Sequence, residues 1–379
     1  MTFSPRFTFT GKMVNALGTI EGARAVIDIL PLPPDHALFL RQAARQRATK
    51  NSTAIEGNTL DSKEVGQAVV SIGRSRTDMQ QEARNYWRAL EWIEDQTDAK
   101  KLINEDFIQR LHCIIYVRGH GRRGTRSEYR AGECPVVDTS GRIDYGPPEP
   151  KDVPVLMKEL VEWLNSSLAK DLPGPVRSGL LAHRFVSIHP FGDGNGRTAR
   201  ALATSELWRS GYDMRGFLSL EENYMADLHA YYDSLQMGLP VNFYEGRHDP
   251  DHSVWLDFFL GTMASAADAL RKRAVELYGP DRRPAPPWER LKRIQQQVLT
   301  RLLTRAFSDT SAVVEFTPPD VVEWFGVSAN TAREWLDRWR REGFVRPSKE
   351  NAQRVRRYKL GDEWRTIIQR AISTRRKTS

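Results

Sequence analysis

His189-Pro-Phe-Gly-Asp-Gly-Asn-Gly-Arg197, continued by Thr198-Ala-Arg200, is the stretch on which the reading of this chain turns. Gly192, Gly194 and Gly196 stand at alternate positions, which permits tight backbone turns and lets N–H groups approach a ligand without side-chain obstruction. A helical pattern over 198–210 follows directly, so the loop runs into a helix N-terminus, an arrangement suited to phosphate. Arg197 and Arg200 add planar cationic donors that match phosphate oxygens bidentately. Asp193 is a hard carboxylate in the same loop, and Mg²⁺ typically takes one or two carboxylates together with substrate phosphates. His189 is a proton acceptor near neutral pH, and Phe191 is expected to anchor the loop in the core. The combination brings phosphate, Mg²⁺ and a base to one place. A Gly-rich turn with an incidental histidine is the bland alternative.

On both sides of this loop the apolar periodicity is helical. The spacing predicts helices over 36–55, 61–72, 79–95 and 104–117, then over 152–168, 175–188, 222–235 and 253–278. Residues 1–35 are expected to be irregular, ending in a Pro-rich cluster. Segment 119–150 is rich in Gly, Pro and Arg, and its pieces 133–138 and 142–145, on either side of Ser140-Gly141, predict a hairpin. Pro-rich 279–290 is expected to be a linker, 291–379 a small basic domain, and 373–379 a loose tail. The fold class is therefore mainly α with one β-hairpin, divided as 1–103, 104–278, 279–290 and 291–379.

A chain of 379 residues is long enough for two or three domains and at least one substantial core. Its 40% apolar and 27% charged residues exclude disordered and collagenous classes. Its most apolar stretch, 254–270, contains Asp257 and Asp268 and is too short and too charged to span a bilayer, so no membrane partner is expected. No basic region followed by an apolar run opens the chain, and Cys113 and Cys134 make neither a disulfide framework nor a zinc site. A cytoplasmic location is the expectation. The net charge of +8 is uneven: 282–379 holds 22 Lys/Arg against 11 Asp/Glu, so the basic character sits in the last quarter. A polyanion partner or a solvated charged face would each account for it.

HPFGDGNGRTAR resembles the core motif of Fic domains, H-P-F-x-[D/E]-G-N-G-R-x-x-R, without departure. The resemblance implies a helical bundle with a β-hairpin flap, and transfer of AMP from ATP to a hydroxyl side chain of a target protein. By position, it makes His189 the base that deprotonates a Ser, Thr or Tyr hydroxyl, and Asp193 the Mg²⁺ ligand. The backbone around Gly192, Gly194, Asn195 and Gly196 becomes the anion cradle, Arg197 contacts the phosphates and Arg200 takes the γ-phosphate. The related Doc kinases carry Lys where this chain has Gly196, which favours adenylyl transfer over phosphorylation. Phosphocholine and UMP transfer also occur among similar proteins.

Upstream, Ser52-Thr-Ala-Ile-Glu56-Gly57 closes the first predicted helix, with Ser52 and Glu56 on one face. A Glu in a last turn opposes the helix dipole, which calls for a partner elsewhere. The segment resembles the Fic inhibitory motif, [S/T]-x-x-x-E-[G/N], of the class with an N-terminal inhibitory helix. That resemblance implies pairing of Glu56 with Arg200, which displaces the γ-phosphate. It also implies a flap in which Arg142, Ile143 and Asp144 align the target by strand addition. Tyr231, Tyr224 and Tyr232, with Leu220 and Asn223, fall where similar proteins build the nucleobase pocket, although tyrosines in a helical stripe are more often core.

In the basic segment, helices over 317–325 and 329–342, with Ser328 as a cap, and a strand over 354–360 resemble a winged helix-turn-helix. Arg333, Arg338, Arg340 and Arg341 lie on its second helix, and Arg354, Arg356 and Arg357 on the candidate wing. DNA binding and a protein-interaction or dimerisation module both fit. Three functions stand: an autoinhibited protein adenylyltransferase that uses MgATP and also labels itself, an enzyme whose main task is AMP removal, and a nucleotide-sensing DNA-binding regulator.

Overall fold

Caps and breaks in the sequence set the helix boundaries of the protein, seen here in a computed structural model that describes residues 3–30, 32–70, 77–116, 126–137, 140–278, 291–308, 315–349, 355–366 and 368. In chain order come α1 (Gly11–Ile29), α2 (Pro34–Ala54), α3 (Ser62–Val70), α4 (Asp78–Asp98) and α5 (Glu105–Tyr116). A short antiparallel pair, β1 (Val136–Val137) and β2 (Ile143–Tyr145), follows, with Val136 opposite Tyr145 and Val137 opposite Ile143 across a bulge. Then come α6 (Val153–Asn165), α7 (Ser167–Lys170), α8 (Gly174–Ile188), α9 (Asn195–Arg209), α10 (Glu221–Ala226), α11 (Leu228–Gln236) and α12 (Ser253–Tyr278). The last part holds α13 (Arg293–Ser308), β3 (Glu315–Phe316), α14 (Pro318–Phe325), α15 (Ala329–Arg341), β4 (Val345–Pro347) and β5 (Tyr358–Leu360), with the strands antiparallel in the order β3-β5-β4.

Three expectations are corrected. Residues 1–35 are not irregular, because α1 occupies most of them. Its buried Met13, Ala16, Ile20, Ala23 and Ile27 recur three and four apart and pack along α12, and the Thr10 hydroxyl caps the Met13 N–H at 3.1 Å. Gly11, Gly18 and Gly22 weaken the local propensity but cost no packing, since each faces open space. The segment 222–235 is two helices, broken at Asp227 (φ −138°, ψ 75°), whose carboxylate caps the Ala230 N–H. Ser166 likewise breaks 152–168, accepting from the Ala169 N–H and donating to Trp163 O. The expected linker 279–290, tail 373–379, Arg354 and residues 138–139 of the hairpin lie outside the described residues.

Two apolar clusters form. The larger gathers side chains from Phe3 to Ala267, with Leu180, Phe185, Phe191, Leu202 and Phe259 fully buried. The smaller joins α13–α15 and their sheet, and Leu38 of α2 belongs to it. Within the larger cluster α8 and α9 form a helical hairpin whose connecting loop is residues 189–194. Buried Glu206 ties this hairpin, taking Arg177 from α8 and Arg209 from its own last turn, and the Ser178 hydroxyl donates to Ala203 O at 2.8 Å. The tip loop is thereby presented at the end of two helices locked in register.

Candidate active site

Loop geometry starts from His189, which terminates α8 in the left-handed region (φ 51°, ψ 56°). Its backbone is held from the flap side: Arg130 Nε donates to His189 O at 2.8 Å, Arg130 N–H to Pro190 O at 2.9 Å, and Nη2 to Pro148 O. The imidazole Nδ1 lies 3.2 Å from Val186 O. A carbonyl can only accept, so Nδ1 carries the proton and the neutral ring presents the Nε2 lone pair. Burial pushes the His189 pKa below the ordinary histidine value; Arg130 adds to this, while the Val186 carbonyl, Glu56 and Asp193 oppose it.

Beyond His189 the loop is fixed by the side chain of Asn195, whose backbone the sequence places in the anion cradle. Asn195 Nδ2 donates to Phe191 O at 2.7 Å, and its Oδ1 accepts from the Phe191 N–H at 3.0 Å. Phe191 is buried and stacks on His112 of α5, with centroids 3.8 Å apart. His112 also fastens the loop, Nε2 donating to Asp193 O at 2.7 Å while Nδ1 accepts from the Ser127 hydroxyl at 2.7 Å. Burial holds the His112 pKa down to about 4, so it stays neutral in this role. Gly194 is the N-cap of α9 at φ 78°, a conformation that favours glycine, and it leads into Asn195, Gly196 and Arg197 at the helix N-terminus.

Both motif arginines are buried and each is held by carboxylates. Arg197 Nη2 lies 3.3 Å from Asp193 Oδ1, and its Nη1 lies 3.3 Å from Glu82 of α4. Arg200 Nη2 donates to Glu56 Oε1 and to Ser52 O, each at 2.8 Å, and its Nε donates to the Ser52 hydroxyl at 2.9 Å. Desolvation opposes the Arg200 charge, but Tyr231 and Glu56 outweigh it and raise its pKa above the ordinary value. Gly196 makes this closure possible, since a Cβ there would overlap Glu56 Oε1. Glu56 follows the end of α2 in a turn completed by Gly57 (φ 90°), with the Tyr232 hydroxyl on Ile55 O at 3.3 Å. Behind Arg200, Tyr86 donates to buried Glu221 at 3.0 Å and is hydrogen-bonded to Ser52.

The remaining sequence-predicted residues divide. Tyr224 and Tyr231 are buried and stacked on each other at 4.7 Å, lining a narrow cavity with Arg200, Leu220 and Trp255. Tyr232 is exposed, and Asn223 half-buried. Arg142 and Ile143 are exposed on β2 and its approach; Asp144 is half-buried, with its carbonyl accepting from Gln236. The Tyr145 hydroxyl donates to Ser187 O in the last turn of α8, which fastens the hairpin beside His189. Sequence reasoning missed Glu82, Tyr86, His112, Arg130 and Glu221. Tyr86 and His112 sit on apolar helix faces, where nothing local marks them as polar partners of the loop.

Asp193 is the one loop carboxylate, a third exposed, with Oδ1 accepting from the Gly194 N–H as well as facing Arg197. A single carboxylate beside phosphate-binding groups suits Mg²⁺, which completes its shell with phosphates and water. Among the described residues no group of three or more His, Cys, Asp or Glu could by itself hold a metal, and no helix is long and apolar enough to cross a membrane.

The Fic/DOC family model matches residues 102–207. A protein adenylyltransferase Fic of Drosophila willistoni is 34% identical over 200 residues, covering 52% of this chain and 38% of that protein. Its Aedes aegypti counterpart is 30% identical over 221 residues, covering 55% and 41%. The chain thus spans less than half the length of the curated relatives it matches. Among solved structures, a Fic family protein from Desulfovibrio desulfuricans superposes with a TM-score of 0.60 at 22% identity, covering 95% of this chain and 99% of that one. A Fic domain containing signaling protein from Bacteroides thetaiotaomicron gives 0.58 at 21% identity, covering 72% and 100%. These two likenesses bear on the fold, and the loop described above falls inside the segment, residues 102–207, that matches the Fic/DOC family model.

Proposed function

We propose that the protein transfers AMP from ATP to hydroxyl side chains of target proteins, itself included, and that Glu56 restrains the reaction. The observation that carries this reading is the assembly of His189, Asp193, Arg197 and Arg200 around one helix N-terminus, with Glu56 on Arg200. The target hydroxyl loses its proton to His189 Nε2 as its oxygen attacks the α-phosphorus; the bond to the β-phosphate oxygen breaks and pyrophosphate leaves. Arg197, Arg200 and the N–H groups at 194–196 would neutralise and orient the triphosphate, which is what such a transfer needs most. Mg²⁺ held at Asp193 would supply further neutralisation of phosphate charge. The exposed edge residues Val137 and Ile143 suit docking of an extended target segment beside His189, with Arg142 and Asp144 flanking it. Tyr232, exposed near the Glu56 turn, suits a nucleobase-facing role better than buried Tyr224 and Tyr231.

Because Arg200 is tied to Glu56, wild type should transfer little. With α-³²P-ATP and Mg²⁺, Glu56→Gly should raise protein labelling at least about tenfold, a coupling typical of such restraints, and adding His189→Ala should abolish it. Label from γ-³²P-ATP alone would mean a kinase. No label from either would refute transfer from ATP and favour AMP removal.

For the C-terminal part, α13–α15 with β3–β5 we propose as a winged-helix module whose exposed Arg333, Arg338, Arg340 and Arg341 suit DNA or a dimer partner. The domain limits 1–103, 104–278, 279–290 and 291–379 are proposed with it, as is a cytoplasmic setting, in which Cys113 and Cys134 stay free.

A further inference from the structure

Arg197 is only 5% exposed and yet faces two carboxylates, Asp193 from its own loop and Glu82 from the first turns of α4. Glu82 is not a passive neighbour. Its Oε1 meets Arg197 Nη1 at 3.3 Å, while its Oε2 accepts from Asn58 Nδ2 at 3.1 Å. The same Asn58 nitrogen donates to Met79 O at 2.9 Å, and Asn58 Oδ1 accepts from the Leu60 N–H. Asn58 lies two residues after Glu56, so the turn that delivers one carboxylate to Arg200 is stapled to the residue that delivers another to Arg197. Glu56 and Glu82 both precede the matched segment 102–207. Both insert negative charge where a polyanion would bind, and each occupies the donor face of an arginine suited to phosphate.

We propose that Glu82 is a second inhibitory carboxylate, holding Arg197 as Glu56 holds Arg200, so that triphosphate binding must displace two ion pairs supplied by the N-terminal helices. This rests on the nucleotide-transfer reading above. It makes Glu82 an inhibitory residue that acts by occupying Arg197, and it makes release of Glu56 alone an incomplete release.

The test measures ATP and adenosine affinity by calorimetry with Mg²⁺, and AMP transfer from α-³²P-ATP. The proteins are wild type, Glu56→Gly, Glu82→Gln and Glu56→Gly/Glu82→Gln. Glutamine keeps an acceptor for Asn58 but removes the negative charge that faces Arg197. ATP should bind about fivefold tighter on removing the Glu82 charge in either background, the size of a part-exposed ion pair, with adenosine affinity unchanged. Transfer by the double variant should exceed that of Glu56→Gly. Unchanged or weaker ATP affinity in the Glu56→Gly background would overturn the proposal, because Glu82 would then merely orient Arg197. An equal shift for adenosine would overturn it too, as the mark of a structural effect. Should far-UV circular dichroism show that Glu82→Gln does not fold, Glu82→Met, of similar length and without charge, takes its place under the same criteria. ATP binding by none of the proteins would remove the nucleotide reading itself, and this proposal with it.

Discussion

His189 joins backbone strain, tautomer and environment in one position. The left-handed φ of 51° turns the chain out of α8 and aims the ring, and the Val186 carbonyl selects the tautomer with an open Nε2. Burial then keeps the ring neutral to lower pH than an ordinary histidine, whose pKa is about 6.5. The sign follows: a base with a lowered pKa works above that value and fails as pH falls through it. Transfer by Glu56→Gly should therefore hold its rate down to a midpoint below about 6.5. Glu56 is among the groups that raise the His189 pKa, so the midpoint should lie lower in Glu56→Gly than in wild type. Initial-rate pH profiles of the two proteins check this, and a midpoint above the ordinary value would contradict the assigned burial effect.

Between α8 and α9 the loop keeps its shape through contacts of very different sequence range. Asn195 makes the local ones, and replacing it with Ala would leave the buried N–H and C=O of Phe191 unpaired. Asn195→Ala should cost roughly 2–4 kcal/mol for two unsatisfied groups, read from denaturant unfolding, and should depress transfer in the Glu56→Gly background. The grouping in this element was legible because it is written contiguously: His189, Asp193, the glycines and two arginines lie within 189–200. Ser52 and Glu56 were legible for the same reason, four residues apart just before a glycine. Residues fixed by distant pairing were not. Arg130 reaches His189 across 59 residues and His112 reaches Asp193 across 81, and no periodicity encodes either contact. The α1 helix failed differently: its glycines lowered propensity, while the three-and-four spacing of its buried residues, visible in the sequence, decided the structure.

At the level of the whole chain, the C-terminal part is joined to α2 and α4. Leu38 of α2 packs in its core, and Arg293 of α13 meets Asp95 of α4 at 3.0 Å. Most telling is Arg301 of α13, buried and paired with Glu91 of α4, which also faces Arg45 of α2 at 3.7 Å. Burial lowers the Arg301 pKa, with Glu91 opposing that effect, so the carboxylate is what keeps the charge tolerable there. Breaking one side of a buried pair strands the other, at a cost of about 3–5 kcal/mol, whereas replacing both is often close to neutral. Arg301→Met should sit at the lower end, near ~3 kcal/mol, because Arg45 remains to share Glu91. Glu91→Gln/Arg301→Met should recover at least half of the loss, measured as the shift of the denaturation midpoint. The same wedge predicts how the two clusters unfold. In wild type the tryptophans of the smaller cluster, Trp339 and Trp364, should report one transition shared with far-UV signal. In Arg301→Met the smaller cluster should melt first. Coincident transitions in that variant would show that Leu38 and the Arg293 pairs, and not the buried Arg301–Glu91 contact, bind the C-terminal part to α2 and α4.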